Sequence, residues 1–94
     1  MTTGRSMDKP IGLAVIGAGR IGSTRARVAS AYPASRVVAV VDINADRAVE
    51  LANEVGAELS TDDVRRAVSS PCVDAVLVAT PEHTHTEQVL AALR

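Results

Sequence analysis

The sequence predicts an α/β fold, in which a parallel sheet is wound by helices on both faces. Three features carry this expectation. Short apolar runs of strand length alternate with segments of helical spacing four times along 94 residues. A glycine-rich turn sits between the first apolar run and the first helical segment. The second apolar run ends in a carboxylate, at a fixed distance from that turn.

The first strand is the apolar run Ile11 to Ile16, continuous enough to be buried on both faces. It breaks into Gly17-Ala18-Gly19-Arg20-Ile21-Gly22, the order strand, G-x-G-x-x-G, helix that a dinucleotide-binding turn requires. Gly17 permits the tight turn, Gly19 lets a pyrophosphate approach the backbone, and Gly22 lets the helix lie close to the strand. A pyrophosphate there would meet open N–H groups and the positive end of the helix dipole.

The first helix is expected from about Arg20 to Tyr32, with Ile21, Thr24, Val28 and Tyr32 facing inward and Pro33 ending it. Arg36 to Val41 reads as the second strand, closed by Asp42. A carboxylate at that tip, twenty residues past Gly22, can accept hydrogen bonds from ribose hydroxyls. The plainer alternative is that Asp42 caps the next helix. Asn44 is the expected N-cap of the second helix, Asp46 suits its first turn, and Ala48, Leu51, Ala52 and Val55 form its inner stripe before Gly56. Ala57 to Leu59 reads as a short third strand, and Thr61 as the cap of a brief helix that turns Val64, Ala67 and Val68 inward. After a turn at Ser69-Ser70-Pro71, the fourth strand runs from Val73 to Ala79. Thr80-Pro81-Glu82-His83 is the loop leaving it, and a last helix is expected from about Thr84 to Arg94.

Right-handed crossovers then give a doubly wound parallel sheet of the Rossmann type, four strands in order 3-2-1-4. Ligands bind where the order reverses, between strands 1 and 4, so the loops 17–22 and 80–85 meet there.

Composition narrows the function classes. A single domain of this size buries about 60% of its unfolded surface. The 47% apolar content supports that core without Phe or Trp, from Ala, Val, Leu and Ile. A net charge of −1 gives no electrostatic case for nucleic acid or an anionic membrane. Nine of the ten basic residues are Arg. The lone Cys72 excludes an internal disulfide and a Cys-based zinc site, and reads as an ordinary small residue at a strand entrance. With no apolar leader or membrane-length run, the expectation is a cytoplasmic protein whose residues 1–8 form a disordered lead-in.

With both loops in view, the sequence closely resembles the N-terminal half of the glucose-fructose oxidoreductase/inositol dehydrogenase family (Gfo/Idh/MocA). The resemblance rests on Gly-Ala-Gly-Arg-Ile-Gly at 17–22, Val-Val-Asp at 40–42, and Val-Asp-Ala-Val-Leu-Val-Ala-Thr-Pro at 73–81 with His85 following. It covers nearly everything from residue 9 to 94, and the Gly-Arg-Ile wording is most similar to inositol 2-dehydrogenases. The resemblance implies NAD as cofactor and a sugar or cyclitol CH–OH group as substrate. It implies that Gly19, Arg20 and Ile21 touch the pyrophosphate, that Asp42 and Ile43 hold the adenosine ribose, and that Thr80, Pro81 and His85 lie along the nicotinamide. Glu82 departs from the family, which often has Asn there. Family members continue into a strand with a Glu-Lys-Pro motif, whose Lys moves the substrate proton, and then into a substrate domain. Lys9 precedes the first strand and cannot replace that Lys. Residues 9–94 therefore read as an incomplete NAD(P)-binding domain without its substrate domain, not catalytically competent alone, with His85 the one candidate base.

Two other classes of protein use a comparable glycine-rich turn. A stand-alone nucleotide-binding or regulatory module fits the same turn. A methyltransferase using S-adenosylmethionine is disfavoured by Gly22 and by the Ala-Thr-Pro-x-x-x-His segment. His83 reads as a surface residue, and the pair His83/His85 lacks a third metal ligand, so no metal site is expected. Arg20 either approaches the pyrophosphate or faces water. Asp42 would repel a 2′-phosphate and Ile43 offers no compensating charge, so NAD is expected over NADP. Ala75 to Ala79 would form an apolar sheet edge through which copies of the chain could associate.

Overall fold

The computed structural model describes residues 10–79. The elements follow in the order β1 (Ile11–Ile16), α1 (Arg20–Ala31), β2 (Ser35–Val41), α2 (Ala45–Val55), β3 (Leu59–Thr61), α3 (Val64–Val68) and β4 (Ala75–Val78). All strand pairs are parallel, and the sheet order is β3-β2-β1-β4, as expected. The expected lead-in at 1–8, the loop Thr80 to His85 and the final helix lie outside the described residues.

Strand alternation divides the core between two layers. Val15, Val37 and Val40 face α1 and α2, meeting Ala26, Ala48, Leu51 and Ala52. Ala14, Ile16, Ala39 and Val41 face the other layer, where Ala67 of α3 closes over them. Helices on both faces are what bury these strands on both sides. Val15, Ile16, Val38 and Val40 are the largest fully buried side chains. Each contributes about 1.5–3 kcal/mol by leaving water. The apolar run 37–41 conceals a register break: Leu13 aligns with Val37 and Ala14 with Ala39. Val38 is therefore the extra residue of a bulge. That is how Val37 and Ala39, two apart, come to face opposite layers.

Helix α2 forms as expected. The Asn44 side chain accepts from the Arg47 N–H at 3.1 Å, and Gly56 ends the helix in the left-handed region at φ 75°. Four expectations need correction. First, the inner face of α1 is Gly22 and Ala26, with Ala29 packed against the same cluster. Ile21, Val28 and Tyr32 are 60%, 58% and 65% exposed, and Thr24 is exposed too. The helix lies so close to the sheet that only small side chains fit beneath it. Second, β3 begins at Leu59, because the Ala57 N–H still bonds Ala52 O at the end of α2 and Glu58 is the first residue to reach β2. Third, Asp63 caps α3, its Oδ1 accepting from the Arg65 N–H at 3.0 Å. Pairing with Val41 draws Thr61 into the sheet, where its Oγ1 accepts from the Asp63 N–H. Fourth, the regular part of β4 is shorter than expected, with Asp74 ahead of it. There Asp74 exchanges two bonds with Gly12, from Gly12 N–H to Oδ2 at 2.8 Å and from Asp74 N–H to Gly12 O at 2.7 Å.

Candidate functional site

The site grows from the carboxyl end of β1. Gly17 leaves the strand at φ 103°, a conformation that side-chain-bearing residues rarely adopt. That turn aims two successive N–H groups at the end of β2. Gly17 donates to Val41 O at 2.7 Å, and Ala18 donates to Asp42 Oδ2 at 2.7 Å. Gly19 is the N-cap of α1, and a Cβ built on it would meet no protein atom within 4 Å. Gly22 is the opposite case: a Cβ there would lie 1.7 Å from Gly17 O and 3.4 Å from the Ala79 side chain. The third glycine thus seats the helix on its own turn and beside the exit of β4. Ala79 itself donates to Ile16 O at 2.8 Å, fixing that exit against β1.

Helix α1 starts without a side-chain cap and without an acidic residue in its first turn. Arg20 and Ile21 are exposed. A helix start left in this state presents unpaired donors and the positive end of the dipole, the arrangement that binds phosphate. The open space over Gly19 gives a pyrophosphate room to reach those donors.

Asp42 flanks this turn. Its Oδ2 takes the Ala18 N–H, its Oδ1 takes the Asn44 N–H at 2.8 Å, and its own N–H bonds Thr61 O of β3. It is not the cap of α2, a role that Asn44 fills. A carboxylate offers about four acceptor positions. With two taken by backbone, Asp42 retains capacity for the two hydroxyls of a ribose. Ile43, next in the chain, is 91% exposed, an apolar surface beside that carboxylate.

Gly17, Gly19, Arg20, Ile21, Gly22, Asp42 and Ile43 therefore gather at one end of the sheet. The remaining site residues expected from the sequence, Thr80, Pro81 and His85, lie outside the described residues, as do Glu82 and His83. Cys72 is exposed in the turn before β4, away from this end of the sheet. Among the described residues no group of three or more His, Cys, Asp or Glu could hold a metal ion. The link from Ala18 to Asp42 was not legible in the sequence, because its donor is a backbone group that any residue at position 18 would supply.

The chain resembles known proteins in both sequence and fold. The profile of the Gfo/Idh/MocA oxidoreductase family, described as an NAD-binding Rossmann fold, matches residues 11–94. The chain is 32% identical over 87 residues to scyllo-inositol 2-dehydrogenase (NAD(+)) of Bacillus subtilis, covering 92% of this chain and 25% of that protein. It is 45% identical over 82 residues to inositol 2-dehydrogenase 3 of Saccharopolyspora erythraea, covering 84% of this chain and 23% of that protein. The crystal structure of myo-inositol dehydrogenase from Lactobacillus casei with NAD(H) and myo-inositol superposes with a TM-score of 0.82 at 26% identity, over 90% of this chain and 26% of that one. The chain thus spans about a quarter of the length of the relatives it matches. Its glycine turn and its sheet order have one source: the chain belongs to the Gfo/Idh/MocA oxidoreductase family and carries that family's NAD-binding Rossmann fold.

Proposed function

We propose that these residues form the cofactor-binding part of a dehydrogenase that oxidises a CH–OH group of a cyclitol or sugar, with NAD as hydride acceptor. The observation that carries the reading is the uncapped start of α1 set beside the Asp42 carboxylate. The relatives named above support the substrate class. In this reading the backbone at Gly19, Arg20 and Ile21 holds the pyrophosphate, and Asp42 with Ile43 holds the adenosine ribose. Thr80, Pro81 and His85 line the nicotinamide side. Bound NAD supplies the hydride acceptor.

Asp42 makes the site selective for NAD over NADP. A 2′-phosphate would sit against its carboxylate, and Arg47 is a poor counter-charge because it extends from the exposed first turn of α2. Calorimetric titration with both cofactors tests the proposal. NAD(H) is expected to bind more tightly, Asp42→Ala to weaken that binding by about 1–3 kcal/mol, and tighter NADP(H) binding would overturn the reading.

Turnover requires more than binding. The reacting carbon must be held about 3–3.5 Å from the nicotinamide, with a base in hydrogen-bond reach of the hydroxyl. The described residues include no His or Lys at the carboxyl ends of β1 and β4. The 94 residues assayed alone are expected to give no NADH absorbance change with inositols or sugars. Turnover by them would make His85 the first candidate base. No helix among the described residues is long and apolar enough to cross a membrane. Among the described residues β4 pairs only with β1, and this supports self-association through the β4 edge. Light scattering on the titration samples checks that: a monomer at every concentration would refute it.

A further inference from the structure

We propose that Asp42 is a positioning residue for the phosphate-binding turn as well as an acceptor for the ribose, so that the two halves of the adenosine diphosphate site are coupled through one carboxylate. The inference rests on the dinucleotide reading above and goes beyond it. Asp42 reaches 24 residues back to Ala18 with Oδ2 at 2.7 Å, while Oδ1 holds the Asn44 N–H at 2.8 Å. Its backbone N–H is tied to Thr61 O at 3.1 Å, so the side chain projects from a fixed point. Ala18 is 6% exposed, which leaves its N–H little access to water should the carboxylate be removed. Gly17, immediately before it, occupies the left-handed region and tolerates many backbone directions. Without the Asp42 acceptor, the link from the turn to β2 is reduced to the Gly17 N–H to Val41 O bond, and Ala18 keeps the bond its carbonyl accepts from Ser23 Oγ at 3.0 Å within the turn and α1. The donors at Gly19 to Ile21 that face the pyrophosphate then lose their fixed aim. A small neutral residue at 42 would relieve repulsion of a 2′-phosphate, yet it would also release the turn that both cofactors need.

The test separates the two roles with an NAD analogue that has no hydroxyls on its adenosine ribose. If Asp42 served the ribose alone, Asp42→Ala would weaken NAD and leave the analogue unchanged. Positioning predicts that the analogue also loses about tenfold in affinity, the scale of one lost hydrogen bond to a charged group. It predicts as well that the Ala18 amide of the cofactor-free protein exchanges with solvent about tenfold faster in the variant, while amides in α2 beyond its first turn keep their rates. An unchanged analogue affinity, or an unchanged Ala18 exchange rate, overturns the inference. Should the unsubstituted chain bind neither NAD nor the analogue, the dinucleotide reading fails, and the Ala18 exchange rate alone decides whether Asp42 holds the turn. If the Ala variant does not fold, Asp42→Leu takes its place, since it is close to Asp in shape and offers the Ala18 N–H no acceptor.

Discussion

Helices α1 and α2 leave neighbouring parallel strands and share one layer, but they begin in opposite ways. At α2 the Asn44 side chain takes the Arg47 N–H and Asp46 sits in the first turn, so the helix supplies its own acceptor and its own negative charge. At α1 the N-cap is Gly19, with no side-chain bond and no acid. Every helix start leaves orphan donors, and satisfying one with a capping side chain is worth about 1 kcal/mol. The chain collects that stabilisation at α2 and forgoes it at α1. The difference marks α1 as the start kept open for an external anion. The glycines divide the labour in the same way: Gly22 is filled by protein, and Gly19 is left to a ligand.

The largest test falls on Gly22. Gly22→Ala puts a methyl 1.7 Å from the Gly17 carbonyl, so the helix or the turn must move. A loss of about 3 kcal/mol in denaturant unfolding is expected, typical of forced overpacking, together with loss of NAD binding. Wild-type stability in that variant would break the account of how α1 is seated.

A crossed pair of substitutions sharpens the contrast between the two starts. Gly19→Ala is expected to leave stability within about 0.5 kcal/mol, as for ordinary surface changes, since φ at −76° suits any residue and the new methyl meets no protein atom. Its cost should appear as weaker NAD binding, by about tenfold or more, because the methyl occupies the approach of the pyrophosphate. Asn44→Ala should do the reverse. It loses about 1 kcal/mol of stability and leaves NAD affinity within about twofold, as expected of a side chain that caps α2 without facing the pyrophosphate. Parallel thermal melts and titrations of both variants check the crossing, and equal effects on either axis would erase the distinction.

The smallest effect concerns what the two helices share. Arg27 of α1 forms a two-pronged pair with Glu54 of α2, through Nε to Oε2 and through Nη2 to Oε1 at 3.2 Å. The hydrogen bond to Arg27 holds the Glu54 carboxyl below the usual glutamate range. A depressed carboxyl contributes stability that is present above its unfolded pKa and disappears as the pH falls through the folded one. Both side chains are solvent-exposed, so the gain is slight and screened by salt. Glu54→Gln should therefore flatten the acid limb of the stability profile a little and leave neutral-pH NAD affinity unchanged. A large loss of stability at neutral pH would show that the pair sets the spacing of the helices.

The sequence by itself determined the element order, the sheet topology, the glycine turn and the cap of α2. Each of these depends on local rules: strand-length apolar runs, the handedness of crossovers, a cap residue ahead of a helical stripe. It also determined that Asp42 stands at the tip of β2 beside that turn. Only the tertiary structure decided which face of α1 is buried. Helical spacing picked out the large residues Ile21, Val28 and Tyr32, yet the close seating at Gly22 admits only Ala26 and Ala29 beneath the helix. The signal available in the sequence was the small-residue series 22, 26 and 29, in step with the third glycine. The start of β3 and the bulge at Val38 were decided by pairing with neighbouring strands, and a uniform apolar run does not encode register. The bond from Ala18 to Asp42 is decided at the same level. It joins a backbone donor to a carboxylate 24 residues away, and only the packed sheet brings the two within 2.7 Å.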